Sequence, residues 1–373
     1  MKKVSVYTRS GATCPSSYYR ILQYEKEIAC DFRPRVIVPD RIFANYNRST
    51  GLRRKWYQIC FYIFCAYFRG IRFLLADIVK KPDVIFVSRA IMPKLCLFPI
   101  PFLMNRAFQK TGQLIWDIDD DIFLPKEITR TEKKLLLKYA TSIIVVNDHL
   151  RSTLPPEWRN KAIYLPTTDG DFANEDLQEL FLQREKRYRD GEVALLWLAT
   201  YTSLPFLASV VPFLDAAAER IYQNSGKQLV LEVVCNRPLN MQTSHLKIVN
   251  ELWSKQLAAE KIRRAHIGIM PLANTQHSLG KGGFKLLQYM AVGLATVSSA
   301  VGSANDIVKN GESGMLASAE DLTQWTTAVT ELAASWERMH EMGVKARERW
   351  DEAYSYQSNL DKLTEILCGE RDR

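Results

Sequence analysis

Histidine is scarce, five residues in 373, and His149, His245 and His340 stand isolated, without the spacing that would join them in a metal site. The seven cysteines, Cys14, Cys30, Cys60, Cys65, Cys96, Cys235 and Cys368, form no CxxC pair and are odd in number. A disulfide framework and a zinc ribbon are thereby excluded, and reduced thiols are expected. No charged-then-apolar leader precedes the first apolar run, so a cytoplasmic location is expected. The longest apolar run, Trp56 to Phe68, is broken only by Gln58 and is shorter than the roughly 20 residues a bilayer span requires. There is no helix-turn-helix, zinc-finger spacing or aromatic ribonucleoprotein motif, which argues against nucleic acid as a partner. Heptads and repeats of 20–50 residues are absent as well. Neither a Walker A string nor a full GxGxxG occurs, because Lys285 stands where the last glycine would be needed.

What is present is the composition of a folded, water-soluble protein, 47% apolar and 24% charged. The length suits two domains at about 150 residues each. Charge is divided unevenly. Residues 1–170 hold 28 Lys and Arg against 15 Asp and Glu, a balance of +13 within a whole-chain charge of +9, so the remainder is acidic. An anionic partner is expected on the first half, and an anionic membrane surface suits it better than nucleic acid. Arg53, Arg54, Lys55 and Arg69 bound the aromatic run from Trp56 to Phe68. Two readings of that run stay open: a helix packed inside an α/β domain, or an amphipathic helix lying among lipid headgroups.

Short β-branched runs alternate with helical periods along the chain. In the first half they are Val4 to Tyr7, Arg35 to Val38, Val84 to Val87, Leu114 to Ile118, Ile143 to Val146 and Ala162 to Leu165. Runs that do not alternate mark strands buried on both faces, and their succession with helices predicts parallel βαβ units. Residues 171–192 are charged and poor in β-branched residues, which predicts a linker with a helical piece. A second series follows: Ala194 to Leu198, Leu229 to Val234, His266 to Met270, Ala295 to Ser298 and Gly314 to Leu316. The fold class predicted is α/β with two doubly wound parallel sheets. Their ligand sites should lie at the carboxyl ends of strands, in a cleft between the domains.

The segment from His266 to Leu316 carries the most chemistry. A strand ends at Pro271, a polar loop follows, and Gly280-Lys281-Gly282-Gly283 leads directly into the helical period Phe284, Leu287, Gln288, Ala291. Glycines admit a ligand close to the backbone, and free amides at a helix start beside two lysines make an anion site suited to a diphosphate. A plain glycine turn with solvated lysines is the alternative. A second polar cluster, Asp117, Asp119, Asp120 and Asp121, follows the run Leu114 to Ile118. Hydrogen bonding to a ligand, a turn role and a metal site are three readings of it.

At these residues a family resemblance becomes visible. The string GKGGFKLLQYMAVGLATVSSAVGSANDIVKNGESGML, with HIGIMPL before it, resembles the donor-binding region of family 4 GT-B glycosyltransferases. Leu196 to Thr200 resembles the family's IGWIGS strand and loop, and Trp253 a tryptophan that precedes the DIGIMPL strand. Ser16-Ser17-Tyr18-Tyr19-Arg20 is similar to its SsRyR loop, and Trp116 to Asp121 to its yDiDDDiw segment. Four positions depart from the pattern: His266 for an aspartate, Ala199 for a glycine, and Gly280 and Gln288 for two glutamates, the second of which meets the ribose.

The resemblance implies two Rossmann-like domains, an N-terminal acceptor domain over 1–170 and a donor domain over 193–350, with residues 351–373 crossing back as a helix. It implies transfer of a sugar from a nucleotide-diphosphate sugar with retention and without cofactor or metal. The acceptor would be a glycan, most simply a lipid-linked one in bacterial surface polysaccharide synthesis. Peripheral attachment to the inner face of the plasma membrane would follow. Asp119, Asp120, Lys281 and Lys285 are implied as catalytic. Ala199, Thr200, His277, Gly280, Gly282, Gly283, Phe284 and Gln288 are implied to meet the donor, and Ser16, Arg20 and Arg89 the acceptor. A catalytically weak homologue acting as a partner subunit, and a nucleotide-sugar epimerase on the same fold, are the other readings.

Overall fold

The structure is a computed structural model and describes residues 1–92, 94–124 and 127–369. They divide into two units, Met1–Thr167 with Gln357–Arg373, and Thr168–Tyr356. The first holds β1 (Lys3–Thr8), β2 (Asp31–Val36), β3 (Val84–Ser88), β4 (Gln113–Ile118), β5 (Ser142–Val145) and β6 (Ala162–Tyr164). All pair in parallel, in the order β2-β1-β3-β4-β5-β6. Every residue of β3 is buried, as a strand covered by helices on both faces must be. The switch in direction of strand order falls between β1 and β3, where this architecture opens a crevice at the strands' carboxyl ends.

The second unit holds β7 (Glu192–Leu198), β8 (Gln228–Cys235), β9 (Lys247–Leu252), β10 (Ile267–Met270), β11 (Ala295–Ser299) and β12 (Met315–Ala317). Its sheet order, β9-β8-β7-β10-β11-β12, is the doubly wound dinucleotide-type order, with the switch between β7 and β10. The predicted α/β class with two parallel sheets is therefore what the chain forms.

Two edge strands depart from expectation. β2 begins at Asp31, four residues before the run read from sequence, and β9 was not expected at all. Both are half-exposed, and β2 carries Pro34 and three charged residues. An edge needs fewer ladder bonds and one dry face at most, so it lacks the apolar run that marks a central strand. Residues 171–192, read as a linker, are built into the second unit. Helix Leu177–Arg189 there buries Arg184, whose guanidinium donates to the carbonyls of Arg263 and Gly293.

The aromatic run is one turn series of a longer helix. Helix Gly51–Trp56 continues through a π-helical stretch, Tyr57–Ile63, into Phe64–Lys80. Tyr62, Ala66, Gly70, Leu74 and Asp77 are its buried residues, and Asp77 accepts hydrogen bonds from Ser5, Tyr7 and Arg35. One face thus belongs to the core. The other leaves Trp56, Ile59, Phe64 and Phe68 exposed, Phe68 by 66%. By length and composition this helix and Tyr201–Ser225 could each cross a membrane. Helix Tyr356–Cys368 packs on the first unit, where Asn359 donates to the Pro166 carbonyl at 2.8 Å and the Ile366 carbonyl accepts from Gln113.

Candidate active site

In the first unit, the ends of β1, β3 and β4 bring a charged network to the switch point. Arg89 follows β3 in a left-handed backbone conformation, φ +62°, rare for a residue with a side chain. Its guanidinium grips Asp119 through both oxygens, Nε to Oδ1 at 2.5 Å and Nη2 to Oδ2 at 3.1 Å, and lies 3.5 Å from Asp120. Glu127 bridges Arg89 to Arg9, which also donates to the Tyr62 hydroxyl. Burial works against the charge of Asp119, yet Arg89 outweighs it and, with the Ser16 hydroxyl, holds the carboxyl below its usual range. Asp119 is therefore ionised and tightly paired.

The other aspartates have structural work. Asp121 accepts the amides of Phe123 at 2.9 Å and Leu124 at 3.0 Å, the turn role read as one alternative for the cluster. Asp117 is buried and pairs with Arg20, Oδ1 to Nη2 at 2.5 Å. Arg20, expected to meet the acceptor, is corrected by this geometry. It is 2% exposed and spends its remaining donors on the Leu165 carbonyl and Thr167. The buried Asp117 carboxylate holds it there. Among the described residues no group of histidines, cysteines and carboxylates is placed to hold a metal ion.

Glu132 was not singled out from sequence. Thr129 caps its helix, as the T-x-x-E spacing suggests, but the Glu132 carboxylate turns away to accept the Ile91 amide at 2.6 Å and that of Met92 at 3.3 Å. It thereby fixes the loop that carries Arg89. Burial pushes this carboxyl up to about 7.

In the second unit, β10 leads through the exposed His277 and the short helix Gln276–Leu279 to Gly280 and the glycine loop. Gly283 caps helix Phe284–Ala291 at φ +69°, and a Cβ there would stand 2.3 Å from the Ile307 side chain, so only glycine suits the position. The Gly282 and Gly283 amides lie at the helix start, as the anion reading requires. Ser303 pins the loop by donating to the Lys281 carbonyl at 2.7 Å. Thr200 and the half-buried Ala199 follow β7 on the other side of the switch point, Thr200 sharing a hydrogen bond with Thr202.

Lys285 and Gln288 share one face of the helix, and Gln288 Oε1 accepts from Lys285 Nζ at 3.0 Å. Gln288 Nε2 in turn donates to Asp169 Oδ2 at 2.6 Å, both residues being buried. Burial lowers the Lys285 ammonium to about 8, opposed by the Asp169 charge. Asp169 was missed because its Thr-Thr-Asp-Gly context reads as a plain turn. Lys285 is part-buried against these partners.

His266 stands just before β10, buried. Its Nδ1 accepts the Ala194 amide at 2.9 Å and its Nε2 lies 2.8 Å from the Arg184 carbonyl, which fixes a neutral ring with the proton on Nε2. Burial lowers it to about 4, below its ordinary 6.5. The folded state thus resists a proton that the unfolded chain takes up as pH falls. The second unit should lose about 3 kcal/mol of stability between pH 6.5 and 4 on this account. Thermal melting across that range checks it: His266→Gln, which cannot titrate, should flatten the slope, and an unchanged slope would contradict the assignment.

Residues 205–335 match the family model described as glycosyl transferases group 1. HepE from Anabaena, solved in complex with UDP and glucose, superposes with a TM-score of 0.64 at 9% identity, over 99% of this chain and 100% of that one. A glycosyltransferase from Rickettsia africae gives 0.61 at 11% identity, covering 98% of each chain. WaaG, a glycosyltransferase involved in lipopolysaccharide biosynthesis, gives 0.58 at 12%, over 98% of this chain and 100% of that one. No curated protein matches the chain. The neighbours share the fold, GT-B with its two parallel-sheet units, and the matched segment is similar to glycosyl transferases group 1. The match lies within the second unit, which holds the glycine loop and its two lysines.

Proposed function

We propose that this chain transfers a sugar from a nucleotide-diphosphate sugar to a glycan acceptor, with retention of configuration and without a metal. The observation that carries the reading is the glycine loop opening onto helix Phe284–Ala291 beside Lys281 and Lys285, at the switch point of a doubly wound sheet. The departing diphosphate gathers charge as the glycosidic bond breaks, and amides with ammonium groups fixed in place stabilise that charge without reorganising. The Anabaena neighbour was solved with UDP and UDP-glucose, which makes a uridine donor the first to try. The acceptor would meet the first unit, where Asp119 and Asp120 offer carboxylate oxygens and Arg89 holds them in place. The test is transfer from a nucleotide-sugar panel, with the product's anomeric configuration read by NMR and chelator present. Inversion, or a requirement for Mn²⁺, would overturn the mechanism; hydrolysis and transfer both absent would favour a partner-subunit role.

The acceptor is proposed to be lipid-linked, in bacterial surface polysaccharide synthesis, and to be met at a cytoplasmic membrane face. Support comes from the exposed side of helix Gly51–Lys80. Arg53 and Lys55 stand exposed beside Trp56, Phe64 and Phe68 are exposed further along the helix, and Tyr67 between them donates to the carbonyl of Phe98, itself 80% exposed. Aromatic rings with flanking cations suit the headgroup region of an anionic bilayer. At about 1 kcal/mol per basic residue, changing Arg53, Arg54 and Lys55 to Glu should cut binding to phosphatidylserine vesicles by roughly 100-fold or more. Sedimentation with anionic and neutral vesicles reads it. Equal binding to both, or no effect of the triple change, would contradict membrane docking.

A further inference from the structure

Beside Lys285 on helix Phe284–Ala291 stands the neutral Gln288, and a carboxylate reaches the pair from outside the helix. Asp169, in the segment between β6 and β7 and outside the matched residues 205–335, reaches Gln288 from the opposite direction. Gln288 Nε2 must be the donor to this carboxylate, which leaves Oε1 as the acceptor facing Lys285 Nζ at 3.0 Å. The amide's orientation is thus set by Asp169, and the ammonium's position by the amide.

We infer that Asp169 is a positioning residue of the donor site: acting through Gln288, it orients Lys285 and keeps it protonated for the diphosphate. The inference rests on the anion-site reading of Lys285. An ammonium buried without a counter-charge would shed its proton, and a neutral amine attracts no diphosphate. Asp169 is the charge that opposes that loss. Asp169 in turn is faced by Asp171, whose amide it caps, and by Lys255 and Arg263, while Lys285 lies over the Phe284 ring. The other charges near Asp169 therefore belong to its own surroundings. Among the described residues, Gln288 is hydrogen-bonded to both Asp169 and Lys285.

Asp169→Asn keeps the cap on Asp171, since asparagine caps as well as aspartate, and should leave the fold intact. Lys285 is followed in the full chain by NMR titration of ¹³C-methylated lysines, assigned with Lys285→Arg, and pyrophosphate binding is measured over the same pH range. The parent should titrate near 8. In Asp169→Asn the midpoint should fall by about one pH unit, and pyrophosphate affinity at pH 8 should fall with it. The exchanged pair, Asp169→Asn with Gln288→Glu, should restore the midpoint, because the carboxylate then sits directly against the ammonium. Gln288→Glu alone should raise it. A midpoint unmoved by Asp169→Asn, or by Gln288→Glu should the former not fold, would overturn the inference. If pyrophosphate fails to bind the parent while the midpoint moves as described, the anion-site reading fails and the positioning stands.

Discussion

Replacing Arg20 with alanine is expected to destabilise the first unit by about 3–5 kcal/mol. The reason is Asp117. Its carboxylate is fully buried and takes its counter-charge from Arg20, so truncation strands a charge in a place water cannot reach. The Leu165 carbonyl and Thr167 lose a donor at the same time. For a unit of this size each kcal/mol moves the melting temperature by roughly 2–4 °C, so a loss of about 6–20 °C is expected by differential scanning calorimetry. Arg20→Met combined with Asp117→Leu should cost much less, because no charge is then left behind. A single variant as stable as the parent would show that Asp117 finds another partner.

The second large effect is on the donor. Lys285→Ala should weaken nucleoside-diphosphate binding by roughly 10–150-fold, the worth of one charge-assisted hydrogen bond of about 1.5–3 kcal/mol. Lys281→Ala should act in the same direction, since its ammonium flanks the same glycine loop. Neither change should alter the melting temperature by more than a few degrees. Isothermal titration with UDP, GDP and dTDP separates the two lysines. Binding equal to the parent's in both variants would mean that the glycine loop is an ordinary turn.

The central strands and the glycine loop were legible in the sequence because burial on both faces leaves an unbroken apolar run, and because only glycine tolerates the backbone at Gly283. The edges were not legible. β9 mixes Lys247, Asn250 and Glu251 into its pattern, and β2 carries a proline, since neither has to be dry on both sides. The site was half legible. Lys281, Lys285, Asp119 and Arg89 stand at the strand and helix ends where chemistry was expected, but their partners lie far away along the chain. Nothing local links Arg20 to Asp117, Arg9 to Glu127 or Gln288 to Asp169, the last pair 119 residues apart. A paired arginine and a substrate-facing arginine look alike in one sequence. Only the fold separates Arg20, which holds the first unit together, from Arg89, which holds Asp119 at its edge.

The most direct measurement of the central claim is titration of the intact protein with a panel of UDP-, GDP- and dTDP-sugars, followed by thermal shift. One donor at 100 times its dissociation constant should stabilise the protein by about 2.7 kcal/mol, and the matching free diphosphate should bind nearly as well. If no nucleotide or nucleotide sugar shifts the melting curve at millimolar concentration, the second unit is not a donor site and the account is contradicted.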